Sequence, residues 1–242
     1  MIHLAAKAGV RPSIESITEY YEVNVNGTVN LLELMRESAV SKMLFASSSS
    51  IYGNNEKVPF SENDRVDNPI SPYASTKKSG ELLCYVYSHL YNFDITCLRF
   101  FTVFGPRQRP DLAIHKFTRL VDEGLPLPFY GDGSTSRDYT YIDDIVNGID
   151  CAMKAVKGYN IYNLGESRVT DLKSLVQTIE RLLGRKAALN FLPLQPGDVK
   201  ITYADISKAK QEIGYAPKTA IEPGIAEFIK WYQKNKSALD GR

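Results

Sequence analysis

The chain has 242 residues, 43% hydrophobic and 24% charged, enough for one large domain or a domain with a smaller lobe and too apolar for wholesale disorder. Its 29 Lys and Arg against 28 Asp and Glu leave a net charge of +1, which gives no electrostatic support for a general nucleic-acid or membrane surface. No apolar run reaches the roughly 18 residues of a membrane span. Three scattered cysteines (Cys84, Cys97, Cys151) point to a reducing cytoplasm, and the isolated His3, His89 and His115 lack ligand spacing, so no metal site is expected.

The opening MIHLAA segment reads as the last residues of a buried strand. Pro12 and Ser13 can start a helix, and a second helical pattern covers residues 21–38, with Val25, Val29, Leu32 and Leu34 on its apolar face. Residues 42–46 make a short apolar strand, with the serines of 47–50 at its carboxyl end. The Asn-, Asp-, Ser- and Pro-rich stretch 54–72 reads as a loop, and Pro72 suits the first turn of a long helix to about Tyr91. A strand at 95–101, a loop at 105–110 with two Arg and two Pro, and a helix at 114–123 follow. Residues 129–133 form a turn between extended pieces. Helices at 144–155 and 171–183, the latter closed by Gly184, alternate with strands at 159–164 and 188–192. Short helices at 207–213 and 223–234 end the pattern. Alternating strands and helices predict a parallel α/β sheet in the first half and a smaller α+β lobe in the second.

Tyr73-Ala-Ser-Thr-Lys77 carries the chemistry. Positions i and i+4 share a helix face, and an ammonium beside a phenol stabilises the phenolate. Moving a tyrosine from about 10 to about 7 takes on the order of 4 kcal/mol, and a phenolate so tuned is a general base at neutral pH. Ser48 stands at the carboxyl end of a strand, where ligand sites gather in open α/β sheets, and can hold a substrate oxygen against the tyrosine.

Further motifs widen the pattern: His3-Leu-Ala-Ala6, Asn24-Val-Asn-Gly-Thr28, Ser47 to Gly53, Leu98-Arg-Phe-Phe-Thr-Val-Phe-Gly-Pro106, Arg137-Asp-Tyr-Thr-Tyr-Ile-Asp-Asp144, Asn163-Leu-Gly165 and Tyr203-Ala-Asp-Ile-Ser-Lys208. Together these resemble the extended short-chain dehydrogenase/reductases, the NAD-dependent nucleotide-sugar epimerases and dehydratases. Ala6-Lys-Ala-Gly-Val-Arg-Pro12, Arg107-Gln-Arg-Pro-Asp-Leu-Ala113 and Gln195-Pro-Gly-Asp-Val199 are similar to the UDP-glucuronate 4-epimerases. The dehydratases place an acid just before the Tyr-Gly of the serine motif, where this chain has Ser49, Ser50 and Ile51, which argues for epimerisation. UDP-glucose 4-epimerase is the alternative within the enzyme class.

The resemblance implies a partial Rossmann-type doubly wound parallel sheet with a smaller α+β substrate-binding lobe. Residues 1–107 would belong to the NAD-binding domain, with roughly 137–160 returning to it, and 108–242 to the nucleotide-sugar lobe. Tyr73 would be the base, with Lys77 and Ser48 beside it. Leu4, Ala5, Ala6 and Asn24 would line NAD, with Phe100 and Val103 near the nicotinamide. Arg109, Thr102 and less directly Arg11 would meet the sugar carboxylate, since Arg binds carboxylates through paired charge-assisted bonds. Ser48 and Ser49 would face the sugar, and Arg137 and Asp198 the UDP portion; Gln195 replaces the Arg of some relatives. A homodimer through a helix bundle that includes the Tyr73 helix is also implied.

No strand, Gly-rich turn and helix of the dinucleotide fingerprint occurs in this sequence; Gly131 and Gly133 stand in the wrong context. The resemblance places HLAA in the fourth strand of the sheet, so about 70 residues or more of preceding strands and helices are expected to be lacking, a βαβ unit alone taking about 30. Weak or absent NAD binding, and poor solubility or compensating oligomerisation, are then expected for this chain alone. A non-catalytic remnant that binds a UDP-sugar through its second lobe therefore stands beside the enzyme reading.

Overall fold

Strands and helices alternate along the chain, and the computed structural model describes residues 1–194 and 199–239. The order opens with β1 (Ile2–His3), α1 (Val10–Glu15), α2 (Ile17–Tyr21), a π-helical turn (Glu22–Asn26) and α3 (Gly27–Glu37). Next come β2 (Lys42–Ser48), a 3-10 turn (Ser49–Tyr52), α4 (Pro72–Tyr91), β3 (Asp94–Phe100) and β4 (Thr102–Phe104). The second half runs α5 (Ala113–Glu123), β5 (Pro126–Tyr130), β6 (Ser136–Tyr141), α6 (Ile142–Ala155), β7 (Tyr159–Leu164) and β8 (Val169–Asp171). It ends with α7 (Leu172–Leu183), β9 (Ala188–Leu192), α8 (Ser207–Ile213) and α9 (Ile221–Leu239).

The main sheet has the order β1-β2-β3-β7 and is parallel throughout. Its register pairs Ser48 with Phe100 and Phe100 with Leu164, so three strands end level at one carboxyl edge. Side chains alternate between the two faces, as a pleated strand requires. Met43, Phe45, Ile95 and Cys97 pack with Leu32 and Met35 of α3 and Cys84 of α4. Leu44, Leu98, Tyr162 and Leu164 pack with Ile145 and Ala152 of α6 and with Tyr215. Helices cover both faces, which is the doubly wound arrangement.

Two smaller sheets, β4-β6-β8 and β5-β9, build the second lobe. Its core gathers Phe104, Phe117, Leu175, Ile179, Phe228 and Tyr232 from β4, α5, α7 and α9. Helix ends follow local chemistry. The Asp171 carboxylate accepts from Ser174 N–H at 2.7 Å to cap α7, and Gly184 closes it at φ +67°.

Several expectations shift. Leu34 is exposed, because the buried stripe of α3 runs through Thr28, Leu32 and Met35. Only Ile2 and His3 of the opening segment form a strand; His3 is buried against Thr28, while Ile2 on the opposite face stays exposed. The segment rejoining the main sheet is α6 with β7, whereas β6 pairs with β4 and β8. Helix α9 runs five residues beyond 234, with Ile225, Phe228, Ile229 and Tyr232 buried at helical spacing.

One contact sets how closely α4 approaches the sheet. A Cβ on Gly80 would lie 2.3 Å from Phe45 Cζ, so only glycine lets the helix lie this near β2.

Candidate active site

Helix α4 starts where Ser71 accepts a hydrogen bond from Ala74 N–H at 3.2 Å, with Pro72 in the first turn. Tyr73 and Lys77 then lie one turn apart on the face turned to β2. Lys77 is 5% exposed, and its ammonium donates to the Ala46 carbonyl at 2.7 Å. It sits 5.3 Å from the Phe45 ring centre and 6.0 Å from that of Tyr73. An ammonium has three donors, so two remain unused by the described residues.

Ser48 ends β2, and its hydroxyl lies near enough to the Tyr73 phenol to favour its ionised form. The same oxygen accepts from Ser50 N–H at 3.2 Å and shares a 2.7 Å contact with the Ser50 hydroxyl. Thus Tyr73, Lys77 and Ser48 come together at the carboxyl edge. The electrostatics differ from the expectation. Burial pushes the Tyr73 phenol up, opposed first by Ser48 and then by the charge of Arg109, with Lys77 contributing nothing resolved. Burial also lowers Lys77 to about 8. The ammonium points at a backbone carbonyl rather than at the phenol oxygen, which is why adjacency on the helix does not acidify the tyrosine.

A buried network lies one further turn along α4. Glu81 receives Arg99 Nε at 2.8 Å and Nη2 at 2.9 Å, and accepts from the Ser47 hydroxyl at 2.7 Å. Arg99 Nη1 donates to the Tyr52 hydroxyl at 2.9 Å, which donates to Asn163 Oδ1 at 2.7 Å. Five segments are thereby tied together: α4, β2, β3, the 3-10 turn and β7. Sequence reasoning quoted Ser47, Tyr52, Arg99 and Asn163 within motifs but gave them no role and missed Glu81, although a charged residue inside the apolar strand LRF and a carboxylate four residues after Lys77 are readable signals.

Two clefts open beside this centre and share Arg137. The first also includes Ser49, Ser50, Thr102 and Thr202, and no carboxylate is among its described lining residues. The second includes Arg11, Asp111, Lys116, Tyr130 and Leu194. Arg11 lies over the Tyr130 ring, 5.9 Å from its centre. Arg137 is held by the Ser136 carbonyl at 2.9 Å. Its neighbour Asp138, which sequence reasoning did not single out, is buried and pushed up to about 6 despite accepting from Glu166, Ser167 and Ala204 N–H groups.

Arg109 is forked onto Asp111, with Nε to Oδ1 at 3.0 Å and Nη2 to Oδ2 at 2.6 Å. Its charge still reaches Tyr20 and Tyr73, whose rings meet edge to face at 6.3 Å. Of the residues the resemblance assigns to NAD, Leu4 and Ala5 are exposed after β1 and Ala6 is half-buried. Phe100 and Val103 are partly buried at the ends of β3 and in β4, against one core. Asn24 is buried, and its amide is occupied: it accepts from Lys7 N–H at 2.8 Å and donates to the Lys7 carbonyl at 3.0 Å and to Thr76 at 3.0 Å. It fixes the segment after β1 against α4. Asp198 and Gln195 lie outside the described residues. Among the described residues no His, Cys, Asp and Glu group could hold a metal ion, and no helix is long and apolar enough to cross a membrane.

A family model described as GDP-mannose 4,6 dehydratase matches residues 1–228. A UDP-glucuronate 4-epimerase of Thermodesulfobacterium geofontis is 46% identical over 236 residues, covering 97% of this chain and 72% of that protein. The fold matches a UDP-glucuronic acid 4-epimerase of Bacillus cereus, solved with UDP-glucuronic acid and NAD, with a TM-score of 0.91 and 36% identity over 96% of this chain and 75% of that one. It also matches a UDP-glucose 4-epimerase of Thermotoga maritima, solved with UDP-glucose, with a TM-score of 0.93 and 32% identity over 97% of this chain and 77% of that one. The chain belongs to this NAD-dependent epimerase/dehydratase family.

Proposed function

We propose that this family member is an NAD-dependent UDP-sugar 4-epimerase whose substrate is UDP-glucuronate and whose product is UDP-galacturonate. The observation that carries the reading is the meeting of Ser48, Tyr73 and Lys77 at the carboxyl edge, beside a cleft that holds Arg137 and, among its described residues, no carboxylate. Elimination of water needs an acid beside the sugar, and Ser49 and Ser50 line the cleft instead. Epimerisation needs, besides a reversible hydride acceptor, only a base that takes up and returns the hydroxyl proton.

The residues present fit the reactive end of NAD. Lys77 has two donors to spare for a ribose diol, beside the level ends of β2 and β3. Leu4, Ala5, Ala6, Phe100 and Val103 would offer it an apolar wall. NAD, when bound, supplies a reversible hydride acceptor. Tyr73 Oη takes the proton of the sugar C4 hydroxyl and, once the 4-keto sugar has turned to present its other face, returns it to the same oxygen. Ser48 Oγ holds the same oxygen in line with the phenol. Lys77 holds the ribose.

Arg137, on the wall shared by both clefts, faces the diphosphate, with Asp198 as partner for the UDP ribose. Thr102 and Arg109 receive the sugar carboxylate, Arg11 acts beside them, and Ser49 faces the sugar. A neutral sugar such as UDP-glucose is the second reading, because Asp111 already engages the fork of Arg109. Residues 1–107, with α6 and β7 returning to them, form the cofactor domain, and the rest of 108–242 the nucleotide-sugar lobe. The exposed Leu82, Tyr85, Val86 and Leu90 on α4 support a homodimer through that helix. Free thiols at Cys84, Cys97 and Cys151 suit the cytoplasm.

Incubation with NAD and each UDP-sugar, followed by chromatographic separation of epimers, tests the reading. UDP-galacturonate from UDP-glucuronate is expected. Conversion of UDP-glucose alone would move the assignment to the second reading, and no conversion of either would overturn both.

A further inference from the structure

We propose that Gln108 is a specificity-positioning residue, setting the spacing between Thr102 and Arg109 and with it the preference for an acidic sugar. The inference rests on the reading of Thr102 and Arg109 as the carboxylate-recognising pair. Gln108 stands between them in the chain, in the loop joining β4 to α5. That loop turns where Gly105 has φ +143° and Arg107 has φ +68°. Its turns close through Gln108 N–H to the Gly105 carbonyl at 3.1 Å and Leu112 N–H to the Arg109 carbonyl at 3.2 Å.

The Gln108 side chain spans the loop. Its Nε2 donates to the Val103 carbonyl, next to Thr102, at 3.0 Å. Its Oε1 accepts from His115 N–H, in the first turn of α5, at 3.1 Å. The first turn of a helix leaves its N–H groups without intrahelical partners, and a side-chain oxygen at the cap normally serves them. Here the cap residue is Leu112, which makes no side-chain cap bond, so Gln108 supplies the oxygen from four residues upstream.

The contact is reinforced. His115 Nδ1 lies 2.6 Å from the Gln108 carbonyl, which can only accept, so Nδ1 carries the proton. The His115 ring is 2% exposed and meets Phe228, Trp231 and Tyr232 edge-on. Gln108 is therefore anchored through α5 to the core of the second lobe, while its amide grips the β4 strand that follows the main sheet. Arg109 comes next. Its guanidinium reaches the Ala8 carbonyl at 3.5 Å, which also accepts from the Tyr20 hydroxyl at 3.0 Å. Tyr20 in turn packs on Tyr73. A change in the span of Gln108 shifts Arg109 relative to Thr102, while Gln108 itself bonds Val103, Gly105 and His115 rather than Tyr73 or Lys77.

The test is calorimetric binding of UDP-glucuronate and UDP-glucose to the full chain. Parent, Gln108→Ala, Gln108→Met and Arg109→Ala proteins are compared, with circular dichroism on each. The methionine variant keeps the side-chain volume should the alanine variant fail to fold. The parent is expected to prefer UDP-glucuronate, and Arg109→Ala to lose that preference. Both Gln108 variants should weaken UDP-glucuronate by about fivefold, as for one misplaced hydrogen bond, and leave UDP-glucose within about twofold. Equal weakening of both ligands, or a preference equal to the parent's, overturns the role of Gln108. A parent preference that survives Arg109→Ala overturns the carboxylate reading instead, and failure of the parent to bind either ligand overturns the proposed function.

Discussion

Glu81 and Arg99 form a two-pronged ion pair in which each side chain is only 1% exposed. The pair couples α4, which carries Tyr73 and Lys77, to the central strand β3. Two charges withdrawn from water are tolerated because the remaining polar atoms find Ser47 and Tyr52.

Removing one partner strands the other. Glu81→Ala is expected to lower stability by about 3–5 kcal/mol, measured by urea unfolding, because Arg99 is left buried and unpaired. A Glu81→Leu, Arg99→Met double variant should recover part of that loss. A single variant within 1 kcal/mol of the parent would contradict the account.

Tyr73→Phe keeps the ring that packs on Tyr20 and removes only the hydroxyl. Turnover should fall by about 10²–10⁴-fold, the range for a lost general base. UDP-sugar affinity by calorimetry should change little. Full turnover in the variant would exclude the phenol as the base.

Lys77 sets a stability window in the alkaline range. Burial lowers its pKa from 10.5 to about 8. Between these values the unfolded chain holds the proton and the folded one does not, so this residue makes stability rise with pH. Below about 8 the charge is present in both states and its burial cost is borne in full. The difference in urea midpoint between the parent and Lys77→Met should therefore move in the parent's favour from pH 8 towards 10.5. A flat difference would show that the ammonium is not desolvated.

The α4 surface provides a test of assembly. Leu82, Tyr85, Val86 and Leu90 are 55%, 53%, 44% and 59% exposed along one side of the helix. A contiguous apolar stripe of this kind marks an association surface. Sedimentation equilibrium should find a dimer for the parent and a monomer for Leu82→Glu, Val86→Glu. A monomeric parent at micromolar concentration would remove the proposal.

Much of this architecture is readable from residue patterns. Pro72 marks the first turn of α4, and the expected bounds match the observed Pro72–Tyr91. Strand β7 and helix α8 also fall where alternation and periodicity put them. The π-helical turn at Glu22–Asn26 was not readable, because one extra residue in a helix leaves no periodic signature, yet it turns Asn24 inward. At the site, the spacing of Tyr73 and Lys77 identified a shared face but not the direction of the ammonium. That direction depends on where the Ala46 carbonyl lies, a tertiary fact. The pairing of Arg109 with Asp111 sat two residues apart in plain view, but a loop conformation decides whether such neighbours meet.

The bare backbone at Gly80 carries a consequence for how this molecule can vary. With the Phe45 ring pressed against that position, the gap between helix and sheet is already at its minimum and acts as a gauge block for the amine one turn earlier. A methyl group on this inner side would press into that ring, so ring or helix must give way, and any movement of the helix carries the ammonium with it.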